Sequence, residues 1–125
     1  MIIQGYAETD KGPVEISKLA VGDSVLDEMH RPRKVLAIET KTVKGGYKFQ
    51  KNPDLILAKK TILKTLYGEV ALTGRKVRNI FMQLSTSRER KDTVNCVGGE
   101  WTAYNVQIEG ANSIYVSHYC VKVGD

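Results

Sequence analysis

A chain of 125 residues, 42% hydrophobic and 26% charged, has apolar material for one modest core and too much to stay unfolded. No apolar run is long enough to cross a bilayer, and the opening MIIQGYAETD lacks the basic start and apolar middle of a secretory leader, so intracellular synthesis is the expectation. The net charge of +5 is scattered over Arg31, Arg33, Lys34, Lys59, Lys60, Arg75, Lys76, Arg78, Arg88, Arg90 and Lys91, and aromatics make up only 7%, which disfavours a nucleic-acid platform without removing it as a second reading.

Taken in chain order, strand signals dominate. Thr9 and Gly12 bracket a tight turn at Asp10-Lys11-Gly12-Pro13. Ile16 and Leu19, three apart, share one side of a single helical turn with Ser17 on its polar side. Gly22 can take a positive φ and Asp23 can bond the backbone ahead of it, so Gly22-Asp23 reverses the chain into a strand that starts at Val25 and Leu26. DEMHRPRK reads as a polar hairpin tip, punctuated by Pro32.

Residues Val35 to Val43 mix β-branched and polar side chains without helical periodicity, and Asp54 to Leu63 is apolar but broken by Lys59 and Lys60. Gly68 to Gly74 is a short strand, Arg75 to Leu84 fits either a strand or a short helix, and the polar segment Ser85 to Asp92 reads as a loop. From Thr102 to Gly110 the alternation is clear, with Tyr104, Val106 and Ile108 on one face and Asn105, Gln107 and Glu109 on the other. Ser113 to Val123 is the last strand. Further turns are expected at Gly45-Gly46, Asn52-Pro53, Gly98-Gly99 and Gly110-Ala111-Asn112. Many short antiparallel strands with regular turns, and at most one or two helical turns, imply a single compact all-β domain spanning 1–125.

The residues Gly12, Ile16, Leu19, Gly22, Asp23 and Val25, followed near the C-terminus by Tyr104, Asn105, Val106, Ile108, Ile114, Tyr115 and Val116, form an order that resembles the Hint (hedgehog/intein) domain family. That family opens with a nucleophile, a short hairpin and I-x-x-L-x-x-G-D-x-V. It closes with Y-N, alternating apolar residues and a final strand. The likeness frames the chain from about Gly5 to Val123, while the middle departs from the pattern. It implies a horseshoe- or barrel-like β fold.

It also implies a demanding self-processing reaction. A Cys or Ser attacks the carbonyl before it, a His in mid-domain assists amide breakdown, and in inteins a terminal His-Asn pair releases the downstream chain. Here the nucleophile position falls at or before Met1, which carries neither hydroxyl nor thiol, and a true start at Met1 would leave no upstream bond to attack. The mid-domain His position falls on Thr61, counted from Ala58, or on Lys76, counted from Thr73, with Thr61 preferred. The terminal pair aligns near Lys122 and Val123. The resemblance thus implies a degenerate member that has kept the scaffold and lost the reaction.

No catalytic residue, metal or cofactor is therefore expected. Only His30 and His118 could supply imidazole ligands, and Cys96 and Cys120 read as free, part-buried thiols. A His118–Cys120 nucleophilic pair on one strand face is a minor alternative. The tyrosines and Trp101 read as core and rim. The expected role is a non-catalytic structural or interaction module, plausible as a small phage virion component that docks to capsid or tail proteins or to itself, with Arg88, Arg90 and Lys91 as a contact surface. A basic nucleic-acid-binding barrel is the alternative, and a remnant self-processing domain the second alternative. No membrane partner is expected.

Overall fold

The computed structural model describes residues 1–65, 68–72, 79–80 and 91–124. The strands in chain order are β1 (Ile2–Gln4), β2 (Tyr6–Thr9), β3 (Gly12–Glu15), β4 (Ser24–Leu26), β5 (Pro32–Phe49), β6 (Ile56–Leu57), β7 (Ile62–Thr65), β8 (Gly68–Ala71), β9 (Asn79–Ile80), β10 (Lys91–Asp92), β11 (Val94–Ile108), β12 (Ser113–Val116) and β13 (Tyr119–Lys122). One 3-10 turn, Ile16–Lys18, follows β3. All strand pairings among the described residues are antiparallel. The all-β expectation holds, with one helical turn where Ile16 and Leu19 place it.

The architecture hangs on two long strands. β5 and β11 pair from Val35–Ile108 at one end to Phe49–Val94 at the other. β6 and β1 bridge the opposite edges of this pair: Leu57 of β6 pairs with Tyr47 of β5, and Ile2 of β1 pairs with both Leu57 and Tyr104 of β11. At the Pro32 end, β5 passes the sheet on through β4, β2, β12, β13, β7 and β8. Long strands that bend from one half of a fold into the other need places where the pleat is broken, and glycine supplies them.

That is the role of Gly45-Gly46 and Gly98-Gly99, which the sequence suggests as turns and the structure places inside β5 and β11. The pairing register slips between Val97 and Glu100, where Gly98 and Gly99 form a bulge. Gly46 lies where a Cβ would sit 2.8 Å from both Leu57 O and Ile3 Cδ1. Gly46→Ala is therefore expected to cost about 1–3 kcal/mol by overpacking, read as a lower denaturation midpoint at an unchanged m-value.

A second difference concerns the C-terminal run. Residues 113–123 are not one strand but the β12–β13 hairpin, closed by Ser117 and His118, both with positive φ (45° and 75°). Two consecutive left-handed residues are what a type I′ two-residue hairpin loop demands, and Asn-Gly is its usual signal. Asp54 to Leu63 likewise divides into β6 and β7 around a turn at Lys59-Lys60, where Lys60 takes φ 67°. In the polar segment 85–92, Lys91 and Asp92 are not loop but strand β10, paired with β9. Arg88 and Arg90, and all of 75–84 apart from Asn79–Ile80, lie outside the described residues.

The main core runs through Ile2, Ala7, Ile16, Val25, Val35, Phe49, Leu57, Leu63, Val106, Ile114, Val116, Tyr119 and Val121. A smaller cluster, Ile3, Ile56, Ala58 and Ala103, lies apart from it and carries Met1, Val43, Val97 and Trp101 at its margin. Gly22 turns the chain with φ 96° and donates its N–H to Val35 O at 2.9 Å. The Asp23 carboxylate bonds backward rather than ahead, accepting the Ala20 N–H at 2.9 Å.

The DEMHRPRK tip is organised by Asp27, which is buried. Its carboxylate accepts Met29 N–H and Arg31 N–H, each at 2.9 Å, and Arg33 Nε–H at 2.7 Å. Burial pushes this carboxyl up, but those hydrogen bonds and the Arg33 charge outweigh it and hold it below its ordinary 3.8. A depressed carboxylate contributes stability that is complete above the unfolded value and is lost as pH falls through the folded one. The stability gap between the native chain and Asp27→Asn is thus expected at neutral pH and should close on acidification below about 3.8, measured by denaturant midpoints across pH.

Candidate functional site

The chain's first residue, the β6–β7 turn and the end of β13 converge. Residue 1 is fixed at both backbone atoms. Its carbonyl accepts the Ala58 N–H at 3.0 Å, and its amine donates to Thr61 Oγ1 at 3.1 Å. The Thr61 hydroxyl also lies 2.6 Å from Ala58 O and 3.0 Å from Met1 O. Its single proton goes to the nearer carbonyl, Ala58 O, which closes the Ala58–Thr61 turn. Turn and site are therefore one device: the residue that caps the turn also holds residue 1.

A cleft of about 160 Å³ opens beside this contact, lined by Met1, Lys60, Thr61, Asn105, Lys122 and Val123 among others. β11 brings Asn105 to it. Although Asn105 alternates with polar residues in sequence, it is buried, and its Oδ1 accepts the Gly124 N–H at 3.0 Å, tying the C-terminal end of the chain to the cleft. Lys122 lies on the other wall, its Nζ 3.5 Å from Glu69 Oε1. Burial lowers the Met1 α-amine below its ordinary 8.0, because an ammonium loses solvation there. The Met1 side chain packs on the small cluster of Ile3, Ile56, Ala58 and Ala103.

Of the two positions for the mid-domain histidine, Thr61 is the one brought to residue 1; Lys76 lies outside the described residues. Lys122 and Val123 reach the same cleft. The remaining pattern residues frame the site from a distance. Thr9 Oγ1 donates to Gly12 O at 2.6 Å in the β2–β3 hairpin, Ile16, Leu19 and Val25 enter the core, and Tyr104 pairs with Ile2 next to residue 1.

The His118–Cys120 pairing does not form. His118 sits exposed in the β12–β13 turn, whereas Cys120 is fully buried on β13. Burial pushes the Cys120 thiol up to about 11, with the neighbouring Glu28 adding to the shift, so it stays protonated at neutral pH. Both cysteines are free, Cys96 being exposed. Trp101 is half-buried and donates to Gly98 O at 3.0 Å. Tyr47, Tyr115 and Tyr119 are buried, whereas Tyr6 is 45% exposed. Among the described residues, no three His, Cys, Asp or Glu side chains gather as a metal site.

Two features lay beyond sequence reasoning. One is the contact of Thr61 with residue 1, sixty positions apart. The other is a groove at Tyr6, Glu8, Asp54 and the Ser117-His118 turn, which required the last strand to be recognised as a hairpin.

No protein-family model matches the sequence, and no match was found among curated proteins. Solved structures do match. The bacterial intein-like domain from Clostridium thermocellum superposes with a TM-score of 0.75 at 13% identity, over 97% of each chain. The Msm DnaB1 intein splicing domain, solved bound with zinc, gives 0.74 at 14% identity over 98% of each chain. The gp41-1 intein gives 0.73 at 17% identity over 96% of this chain and 94% of its own. Similarity at these identities resides in the backbone path, and it runs nearly end to end: the chain has the Hint fold, that of inteins and intein-like domains.

Proposed function

We propose that this chain is a Hint-fold domain that no longer processes itself and instead acts as a docking module within a larger protein assembly, the setting being a virion capsid or tail. The observation that carries the reading is the composition of the convergence point. The side chain at residue 1 is a thioether packed on Ile3, Ile56, Ala58 and Ala103, and the group at its amine is the Thr61 hydroxyl, whose proton is engaged by Ala58 O. Neither supplies an attacking atom or a proton-transfer group tuned near neutrality. What persists is a rigid β scaffold, which is what a docking module needs.

The test places the native chain between two reporter domains and follows intact mass after expression and after thiol treatment. An unchanged full-length mass is expected, and release of either reporter would overturn the non-processing part. Crosslinking with mass spectrometry of identified neighbours tests the docking part, for which capsid or tail proteins are the expected partners. The basic alternative rests on the +5 charge and predicts binding to nucleic acid that collapses steeply with salt.

A further inference from the structure

The outer face of the β2–β3 hairpin carries a groove of about 280 Å³ whose lining differs from the rest of this basic chain. Its walls are Tyr6, Glu8, Pro13, Asp54, Ser117 and His118. Tyr6 is 45% exposed, and Pro13, opposite Glu8 across the hairpin, is exposed as well. In a protein of net charge +5 the groove holds two carboxylates, and among the described residues no lysine or arginine lines it or pairs with either acid.

The groove is built by rigid elements. Ser117 N–H donates to Tyr6 O at 2.8 Å, and Ser117 Oγ accepts the Tyr6 N–H at 3.1 Å and donates to Asp54 Oδ2 at 3.2 Å. Gln4 Nε2 donates to Asp54 O at 3.0 Å. These bonds lock the β12–β13 turn, the strand carrying Tyr6 and the loop carrying Asp54 into one frame. His118 then projects at the rim in a left-handed conformation, φ 75°, that its side chain disfavours, and it makes no hydrogen bond or ion pair among the described residues. A glycine would serve the turn at lower cost, so the imidazole has no evident use in the fold itself.

We propose that this groove docks a basic segment of a partner protein, with an arginine or lysine side chain laid over the Tyr6 ring and its charge met by Glu8 and Asp54. An exposed aromatic wall flanked by carboxylates that no described lysine or arginine pairs fits a cationic side chain through ring-face attraction and ion pairing together, and fits an acidic or purely apolar segment poorly. The inference rests on the docking reading above and names its surface and the partner's chemistry.

The test uses the full chain, isotope-labelled, and follows its amide resonances by NMR during titration with an acetylated, amidated heptapeptide alternating arginine and glycine. Saturable shifts centred on Tyr6, Glu8, Asp54, Ser117 and His118 are expected, with weakening of about threefold for either Tyr6→Ala or Glu8→Gln and about tenfold for the two combined. Both residues are at the surface, and an unchanged melting curve shows that the variants fold. Equal binding of a glutamate-glycine peptide, shifts elsewhere on the surface, or affinity unchanged in the double variant would overturn the proposal. So would concentration-dependent shifts at the groove without peptide, which would make a second copy the occupant. If a crosslinked assembly partner still binds the double variant, the groove assignment fails while the docking reading stands.

Discussion

A chain carrying both Met1→Cys and Thr61→His behind an upstream reporter domain is expected to shed the reporter when a small thiol is added, whereas the native sequence in the same fusion stays intact. The geometry at residue 1 motivates the expectation. Ala58 N–H holds its carbonyl at 3.0 Å, Thr61 Oγ1 lies 3.1 Å from its nitrogen, and the cleft of about 160 Å³ is lined by both Met1 and Thr61. With a thiol at residue 1, its sulfur can attack the preceding carbonyl carbon. A C–S bond forms, the C–N bond breaks, and the thiol proton ends on the departing amine. The added thiol then exchanges onto the thioester and frees the reporter.

Thr61 cannot deliver that proton effectively, since its hydroxyl is committed to Ala58 O at 2.6 Å and ionises far above neutrality. Imidazole titrates near the working pH, and a positioned acid–base group typically contributes about 10²–10⁴-fold. Met1→Cys alone should therefore cleave slower than the double variant by roughly that factor. Timed gel densitometry with mass confirmation measures both. No release from a folded double variant would mean that a thiol at residue 1 and an imidazole at residue 61 do not suffice for cleavage on this scaffold.

What the sequence reveals of this fold is what local chemistry decides. Ile16, Leu19, Gly22 and Val25 announce a turn and a strand because their spacing and the freedom of glycine act over a few residues, and the structure has that turn. Glycine misleads where its use is nonlocal. Gly46 is needed because Ile3 and Leu57 press on it, which no neighbour in sequence reveals. Ser117-His118 hides a hairpin because neither residue signals positive φ, and the turn is enforced by the Val116–Tyr119 pairing and by the bonds of Ser117 to Tyr6 and Asp54. The cleft was legible only through the family pattern, which pointed to Thr61, Lys122 and Val123 as candidates. Their meeting at residue 1 depends on β1 lying between β6 and β11, a pairing that alternation alone cannot supply. Asp92 looked like loop for the same reason: a carboxylate reads as solvent-facing until its partners are known.

Those partners make Asp92→Ala the most damaging side-chain truncation we expect among the polar residues described, at about 3 kcal/mol, or about 10 °C in melting temperature for a chain of this size. Asp92 is 5% exposed. Its Oδ1 accepts Lys51 N–H at 2.9 Å and Thr93 N–H at 2.7 Å, and its Oδ2 accepts the Tyr119 hydroxyl at 2.5 Å. The Tyr119 oxygen in turn accepts Asn52 Nδ2–H at 2.8 Å, and the Tyr119 ring rests on Phe49 with centroids 5.0 Å apart. Truncation strips three donors of their acceptor at once. Each such loss costs about 1–3 kcal/mol when water cannot replace it, and admitted water recovers part of the total. Tyr119→Phe removes only the hydroxyl and should cost about half as much, and combining the two should fall short of additivity because they share a bond. Urea midpoints at constant m-value measure all three, and a loss below about 1 kcal/mol for Asp92→Ala would show that the network contributes little. The consequence reaches function, because the network clamps the start of β13 to the loop that carries Asp54. Asp92→Ala should therefore weaken arginine-peptide binding at the Tyr6 groove under conditions where the chain is still folded, although it touches no residue lining that groove.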